Sequence, residues 1–208
     1  MVSHRTVGRL TLYWRTLRDL ARENQSHTYS HFLASKARVT PAQVRRDLMV
    51  VGYTGTPAHG YAVGQLKKHI EALLFPKTVQ GVALAGVGNI GRALLKFFSG
   101  RRETLKILAS FERNPEKYDR MIGGCPCYSI EKTEDVIRRL GISVGIIAVP
   151  AEEAQSVTDL FVKAGISGIL NFARTPLQVP PGVYVEDIDL AMSMDKVAYF
   201  ARQSRRSG

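Results

Sequence analysis

Cysteine is almost missing from this chain: only Cys125 and Cys127 occur, on either side of Pro126. Such a pair cannot supply a disulfide framework and lacks the second pair that a zinc site needs. Both are expected as ordinary packed or half-exposed residues, and no metal is expected. Histidine is absent from the later part of the chain, since His4, His27, His31, His59 and His69 all precede Gly81. No apolar run reaches membrane-spanning length, and the N-terminus carries no apolar signal core. A cytoplasmic protein with no membrane partner is therefore expected. Acidic residues are scarce early: 4 of the 18 lie in residues 1–78, against 12 of the 29 Lys and Arg, so the net charge of +11 divides into +8 before residue 79 and +3 after it. A basic segment joined to a near-neutral one points to an acidic partner for the first. Nucleic acid leads, with a merely solvated surface as the alternative.

What the chain does have is glycine in a particular place. From Gly81 to Phe97 an apolar run passes through a glycine-rich turn into a helical pattern, and Gly86, Gly88 and Gly91 form G-x-G-x-x-G at the junction. Strand, turn and helix in that order are the context a dinucleotide fingerprint requires. Gly86 permits the tight turn, Gly88 lets the backbone approach a pyrophosphate, and Gly91 lets helix and strand pack closely. Val87, Asn89 and Ile90 lie between them, where the free N–H groups of a helix N-terminus would face phosphate. A glycine turn that binds nothing is the alternative.

Before this stretch, Val7, Leu10, Tyr13, Trp14, Leu17, Leu20 and Ala21 recur at helical spacing and predict a first amphipathic helix. A second, short helix is expected from about Thr28 to Ser35. Thr40 and Gln43 then form a capping box around Pro41 at the first helical position. Val44 and Leu48 face inward from that helix, leaving Ala42, Gln43, Arg45 and Arg46 to solvent or a partner. Two helices joined by a short turn, the second polar and basic in its first turns, match a helix-turn-helix whose second helix enters the major groove. The runs 50–53 and 60–63 predict a hairpin wing around residues 54–59. Leu66, Ile70, Leu73 and Leu74 predict a closing helix, and Phe75 to Thr78 a linker. Candidate DNA contacts are Thr40, Gln43, Arg45 and Arg46, with Tyr53 and Thr56 from the wing.

After the glycine loop, Ile90, Ala93, Leu94 and Phe97 are expected to face inward. Leu105 to Phe111 predicts a second strand ended by Glu112, 21 residues past Gly91. A carboxylate there suits a ribose 2′-hydroxyl and favours NAD(H) over its 2′-phosphorylated form, a choice that the neighbouring Arg113 could soften. Alternation continues with a helix near residues 131–140, a strand at 144–149 stopped by Pro150, a helix ended by Gly165, and a strand at 168–172. The implied fold class is α/β: a winged helix-turn-helix followed by a Rossmann-type doubly wound parallel sheet, whose ligand lies at the strands' C-terminal edge among Val149, Pro150, Asn171 and Phe172. A final strand is read at 183–189. Leu190, Met194, Val197, Ala198 and Ala201 then form an apolar stripe on a terminal helix, which would ordinarily pack on its own sheet. Arg202, Arg205 and Arg206 make a basic tail. The expected division is 1–77 for the DNA-binding domain, 78–188 for the NAD(H)-binding domain, and 189–208 for the terminal helix and tail.

Three stretches together, Thr40 to Leu48, Gly86 to Gly91, and Gly165 to Ala173, resemble the Rex family of redox-sensing transcriptional repressors over nearly the whole chain. The resemblance implies a homodimer that binds double-stranded operator DNA and releases it when NADH rises relative to NAD+. It further implies that the terminal helix is swapped onto the partner, with Leu190 near the partner's nicotinamide. Arg45 and Arg46 correspond to recognition-helix contacts, Gly86, Gly88, Gly91 and Glu112 to cofactor contacts, and Arg15 and Asp189 to a charged pair that couples the domains. The chain departs from the family pattern at Thr56-Pro57-Ala58, Phe97, Asn114 and Arg174. Two other classes compete. A nicotinamide-dependent dehydrogenase needs an acid or base near the hydride, and no histidine follows the loop. A CoA-binding or other nucleotide-binding module leaves the basic N-terminal segment unexplained.

Overall fold

The computed structural model describes residues 2–56, 59–75, 77–99 and 104–204. Pro57 and Ala58 of the expected wing, Pro76 of the expected linker, and Arg205 and Arg206 of the tail lie outside the described residues. The chain divides into two compact units, Met1–Lys77 and Thr78–Gly208.

The first unit runs α1 (His4–Arg22), β1 (His27–Thr28), α2 (Ser30–Ala37), α3 (Pro41–Val50), β2 (Tyr61–Ala62) and α4 (Val63–Leu74). Leu10, Tyr13 and Leu17 of α1 fall three and four apart and meet Leu33, Val44, Leu48, Leu66 and Ile70 in one buried cluster. Val7, by contrast, is exposed. Inside this apolar cluster lies one carboxylate, Asp47 of α3. It accepts bonds from Arg9 Nε at 2.6 Å, Arg9 Nη2 at 2.7 Å, Tyr13 Oη at 3.0 Å and Gln43 Nε2 at 2.9 Å. A buried charge persists only when paired and hydrogen-bonded, and this network joins α3 to α1.

Two expectations for this unit are corrected. The second helix begins at Ser30, because Thr28 belongs to β1. The hairpin between 50–53 and 60–63 does not form: Val50 still belongs to α3, and β2 pairs antiparallel with β1, Thr28 opposite Tyr61. Thr56 and Gly60 make a single bridge. A β-prone run carries no record of its partner, and here β1 supplies one from far upstream.

The second unit runs β3 (Gln80–Ala85), α5 (Asn89–Phe98), β4 (Leu105–Glu112), β5 (Arg120–Ile122) and β6 (Cys125–Ser129). A 3-10 turn at Ile130–Lys132 leads into α6 (Thr133–Arg139), followed by β7 (Val144–Ile147), α7 (Ala151–Ala164), β8 (Gly168–Asn171), β9 (Tyr184–Asp187) and α8 (Leu190–Ser204). The sheet order is β5-β6-β4-β3-β7-β8-β9, parallel except for the β5–β6 pair. Strand order reverses at β3, which puts the topological switch point, and hence the ligand crevice, at its C-terminal end. One face buries Phe111, Ile137, Ile147 and Phe161; the other buries Val82, Leu84, Leu95 and Ile146.

β5 and β6 are not expected from the sequence, since five residues with a proline in the middle read as a break. In β6 the alternate residues Cys125, Cys127 and Ser129 are buried. Burial pushes the Cys125 thiol up to about 11 and raises that of Cys127 as well, which makes both poor nucleophiles. The phase of α5 also differs from expectation: Gly91 and Leu95 face the sheet, whereas Ile90, Ala93 and Phe97 are exposed. Close packing of Gly91 on the glycine turn sets that phase.

Nor does the stripe on α8 rest on its own sheet. Leu190, Met194 and Val197 are 67%, 66% and 63% exposed.

Candidate functional site

The glycine loop joins β3 to α5, and its three glycines have different reasons to be there. Gly86 has φ of +88°, which L side chains rarely adopt, and a Cβ there would run into the Ala148 carbonyl. A Cβ at Gly91 would run into the carbonyl of Gly86, so that glycine is required by helix-to-turn packing. A Cβ at Gly88 would meet nothing within 4 Å. Gly88 caps α5, and the space over it adjoins first-turn N–H groups that have no intrahelical acceptor. That combination matches what an anion cradle requires. Arg92 Nε donates to the Val87 carbonyl at 3.1 Å and steadies the loop.

Parallel pairing of β3 with β4 brings Glu112 beside the loop. Its Oε2 accepts from Val87 N at 3.3 Å, and its Oε1 accepts from Arg113 N at 2.9 Å and Asn114 N at 3.3 Å. Lys117 Nζ stands 4.0 Å from Oε2. The Arg113 guanidinium is engaged by α7 instead, donating to Ser156 Oγ at 3.1 Å and standing 3.5 Å from Glu153. The carboxylate at the end of β4 is thus Glu112, held beside the loop by three backbone N–H groups.

On the other side of β3 a cavity of about 760 Å³ opens. It gathers Gly88, Asn89, Ile90, Val149, Pro150 and Phe172 from the expected set, together with Leu190, which the resemblance put near the partner's nicotinamide and which here lines the cavity of its own chain. Arg174, Glu152 and Ile188 also line it and were not among the expected contacts. Asn171 is brought to the right edge but turned into the protein. Its Nδ2 donates to Thr175 O at 2.9 Å and Asp187 Oδ1 at 2.7 Å, while its Oδ1 accepts from Ala173 N at 2.9 Å. Asn171 therefore shapes the turn after β8 and is not among the residues that line the cavity. Asp189 caps α8, its Oδ1 accepting from Met192 N at 2.8 Å. A Tyr-x-x-x-Lys spacing, of the kind some dehydrogenases use, does occur after the loop, at Tyr128 and Lys132. It lies away from the cavity lining: Tyr128 packs on Phe111 at 6.0 Å and Lys132 stands 3.2 Å from Asp119.

In the first unit, α3 presents Arg45, Arg46 and Met49 on one exposed face, as the i, i+1, i+4 spacing allows. Thr40 Oγ1 accepts from Gln43 N at 3.2 Å, but the Gln43 side chain reaches forward to Asp47, so the reciprocal half of the capping box is absent. Arg45 Nη1 donates to Ser30 Oγ at 3.3 Å. Tyr53 donates to Gln65 Oε1 at 3.3 Å, and Thr56 Oγ1 accepts from His59 N at 3.3 Å. Met49, 69% exposed and one turn beyond Arg45 and Arg46, is a further apolar candidate for a thymine methyl group. Its spacing from the two arginines is the signal in the sequence that points to it.

A helix-turn-helix unit and a dinucleotide-type fold with an open anion cradle, in one chain, define a nucleotide-responsive transcription factor. A family model described as "CoA binding domain" matches residues 78–175, and one described as "Putative DNA-binding protein N-terminus" matches residues 1–48. The chain is 39% identical over 194 residues to the redox-sensing transcriptional repressor Rex of Roseiflexus sp. (strain RS-1), covering 93% of this chain and 88% of that one. It is 37% identical over 195 residues to that of Syntrophobacter fumaroxidans, covering 93% of each. A crystal structure of RSP, a Rex-family repressor, in complex with β-NAD+ and operator DNA superposes with a TM-score of 0.90 at 30% identity, over 99% of this chain and 94% of that one. This chain belongs to the Rex family of redox-sensing transcriptional repressors, and it is not an enzyme.

Proposed function

We propose that the chain binds operator DNA as a homodimer through its α3 face and leaves that DNA when NADH rises relative to NAD+. The observation that carries this reading is the glycine loop. Two of its glycines are demanded by packing, the third is open, and Glu112 stands beside them, which suits a pyrophosphate and an unphosphorylated ribose. Release requires that NADH bind the DNA-incompetent state more tightly than the competent one, since a ligand shifts an equilibrium only by its differential affinity. No group of this chain need transfer hydride.

A homodimer is supported by α8. A 15-residue helix with Leu190, Met194 and Val197 uncovered presents an exposed apolar stripe of the kind that marks an interaction surface. A second copy receiving it, by a swap, would cover that stripe. Arg15 is exposed on α1 and Asp189 begins α8; pairing between Arg15 and a partner's terminal helix would then couple the cofactor to the DNA-binding unit.

Titration of a labelled palindromic duplex complex with NADH and NAD+ separately tests the reading. Two chains per duplex are expected, with release by NADH at lower concentration than by NAD+. Release by coenzyme A but by neither dinucleotide, or one chain per duplex, overturns it. For the DNA face, Arg46→Ala is expected to weaken binding across sequences and to lower the slope of log affinity against log salt by about one. An unchanged slope would remove Arg46 from the phosphate contacts.

A further inference from the structure

We propose that Arg174 helps set the redox preference of the site, by disfavouring the cationic nicotinamide of NAD+ relative to the neutral dihydronicotinamide of NADH. The inference rests on the proposed dinucleotide site and concerns which oxidation state that site prefers.

The placement follows from the sheet. Glu112 would hold the adenosine ribose at the end of β4, on one side of β3, and the first turn of α5 would take the phosphates. The second nucleotide must then fall on the other side, beyond β7 and β8, where the cavity continues between Val149, Phe172, Ala173, Ile188 and Leu190. These walls are apolar, while Arg174 itself is exposed at the rim, where solvent screens part of its charge. Arg174 lines the same cavity. Its backbone sits within the turn that Asn171 closes from both sides, through Ala173 N and the Thr175 carbonyl, so the residue is held at the rim.

Three described cations on the adenosine side of the loop are engaged: Arg92 by the Val87 carbonyl, Arg113 by Glu153 and Ser156, and Lys117 near Glu112. Among the described residues Arg174 has no ion pair, side-chain hydrogen bond or ring contact. Glu152, in the first turn of α7, is the other charged residue lining the cavity among the described residues, and it acts in the opposite sense. Guanidinium is always protonated, so its charge is constant, and the variable is the ligand. NAD+ and NADH share every phosphate and ribose contact and differ by one positive charge on the nicotinamide ring. A fixed cation beside that ring separates them; a cation on the pyrophosphate would not.

The test is calorimetric titration of the full-length protein and its Arg174→Gln and Arg174→Lys variants with NADH, NAD+ and ADP-ribose. ADP-ribose keeps the phosphates and riboses but lacks the ring. In Arg174→Gln, NAD+ is expected to bind about three- to tenfold more tightly, with NADH and ADP-ribose within about twofold of wild type, and Arg174→Lys is expected to keep the wild-type preference. An unchanged NADH-to-NAD+ ratio in Arg174→Gln overturns the inference. So does equal weakening of all three ligands, which would place the guanidinium on the phosphates. Failure of the wild-type chain to bind any of the three overturns the dinucleotide site itself, and the inference with it.

Discussion

Gly88→Asp is expected to abolish NADH binding while leaving the chain folded. A Cβ at this position meets nothing within 4 Å, so the side chain has room in the unliganded protein. That room is the space the pyrophosphate would take. Two unit charges 4 Å apart at an effective dielectric constant of 20 repel by about 4 kcal/mol, equivalent to about a thousandfold in affinity, before the displaced volume is counted. The contrast with Gly91 makes the result interpretable. There even Ala would press on the Gly86 carbonyl and alter the fold, whereas Gly88→Asp should melt within a few degrees of wild type. A folded Gly88→Asp protein that binds NADH normally would show that the loop does not hold the phosphates.

Asp47→Ala is expected to destabilise the first unit by about 2–3 kcal/mol, the cost of leaving the buried Tyr13 hydroxyl and the half-buried Arg9 guanidinium without their acceptor. Arg9 would lose both of its bonds to the carboxylate, at 2.6 and 2.7 Å, and Tyr13 and Gln43 would lose theirs. Denaturant unfolding of the intact protein followed by tryptophan emission measures this directly, because the single tryptophan, Trp14, lies in α1 of the same unit. A loss under about 1 kcal/mol would mean that the pair adds little.

Acid sensitivity should follow the same network. Burial works to raise the Asp47 pKa, yet the bonds from Arg9, Gln43 and Tyr13 outweigh it and hold the carboxyl below its ordinary value. A group depressed in the folded state stabilises fully above its unfolded pKa and ceases to do so as pH falls through the folded one. Wild-type stability should therefore fall below about pH 4 more steeply than that of Asp47→Asn, which has no charge there to lose.

Much of the second unit is legible in the order of its residues. The glycine loop, Glu112 at the end of β4, the αL glycine that ends α7 and the strand–helix alternation are written in consecutive positions. The Thr40 cap and Pro41 likewise announce α3. Where expectation and fold part, the causes are physical. β2 pairs with His27–Thr28, and no local pattern names a partner. The apolar residues of α5 fill one arc that is wider than the sheet covers, with Asn89, Arg92 and Lys96 on the other side, so the contact of Gly91 with the turn settles which part of that arc turns inward. Arg113, Gln43 and Asn171 are polar residues whose types suit a ligand, yet each is engaged by a protein group instead. The stripe on α8 is plain in the sequence, but its exposure is not.

The sequence by itself determined most of the helices, the order of the parallel strands β3, β4, β7 and β8, and the position of the glycine loop. Capping, periodicity and the backbone freedom of glycine act over a turn or two and need no distant partner. Only the tertiary structure decided that Asp47 and Arg9, 38 residues apart, form the bond between α1 and α3. It alone placed Arg174 on the cavity rim and left α8 without cover in a single chain. Burial, hydrogen-bond partnership and electrostatic neighbourhood are sums over residues remote in the chain, and they take values only once the sheet and the helical cluster have brought those residues together.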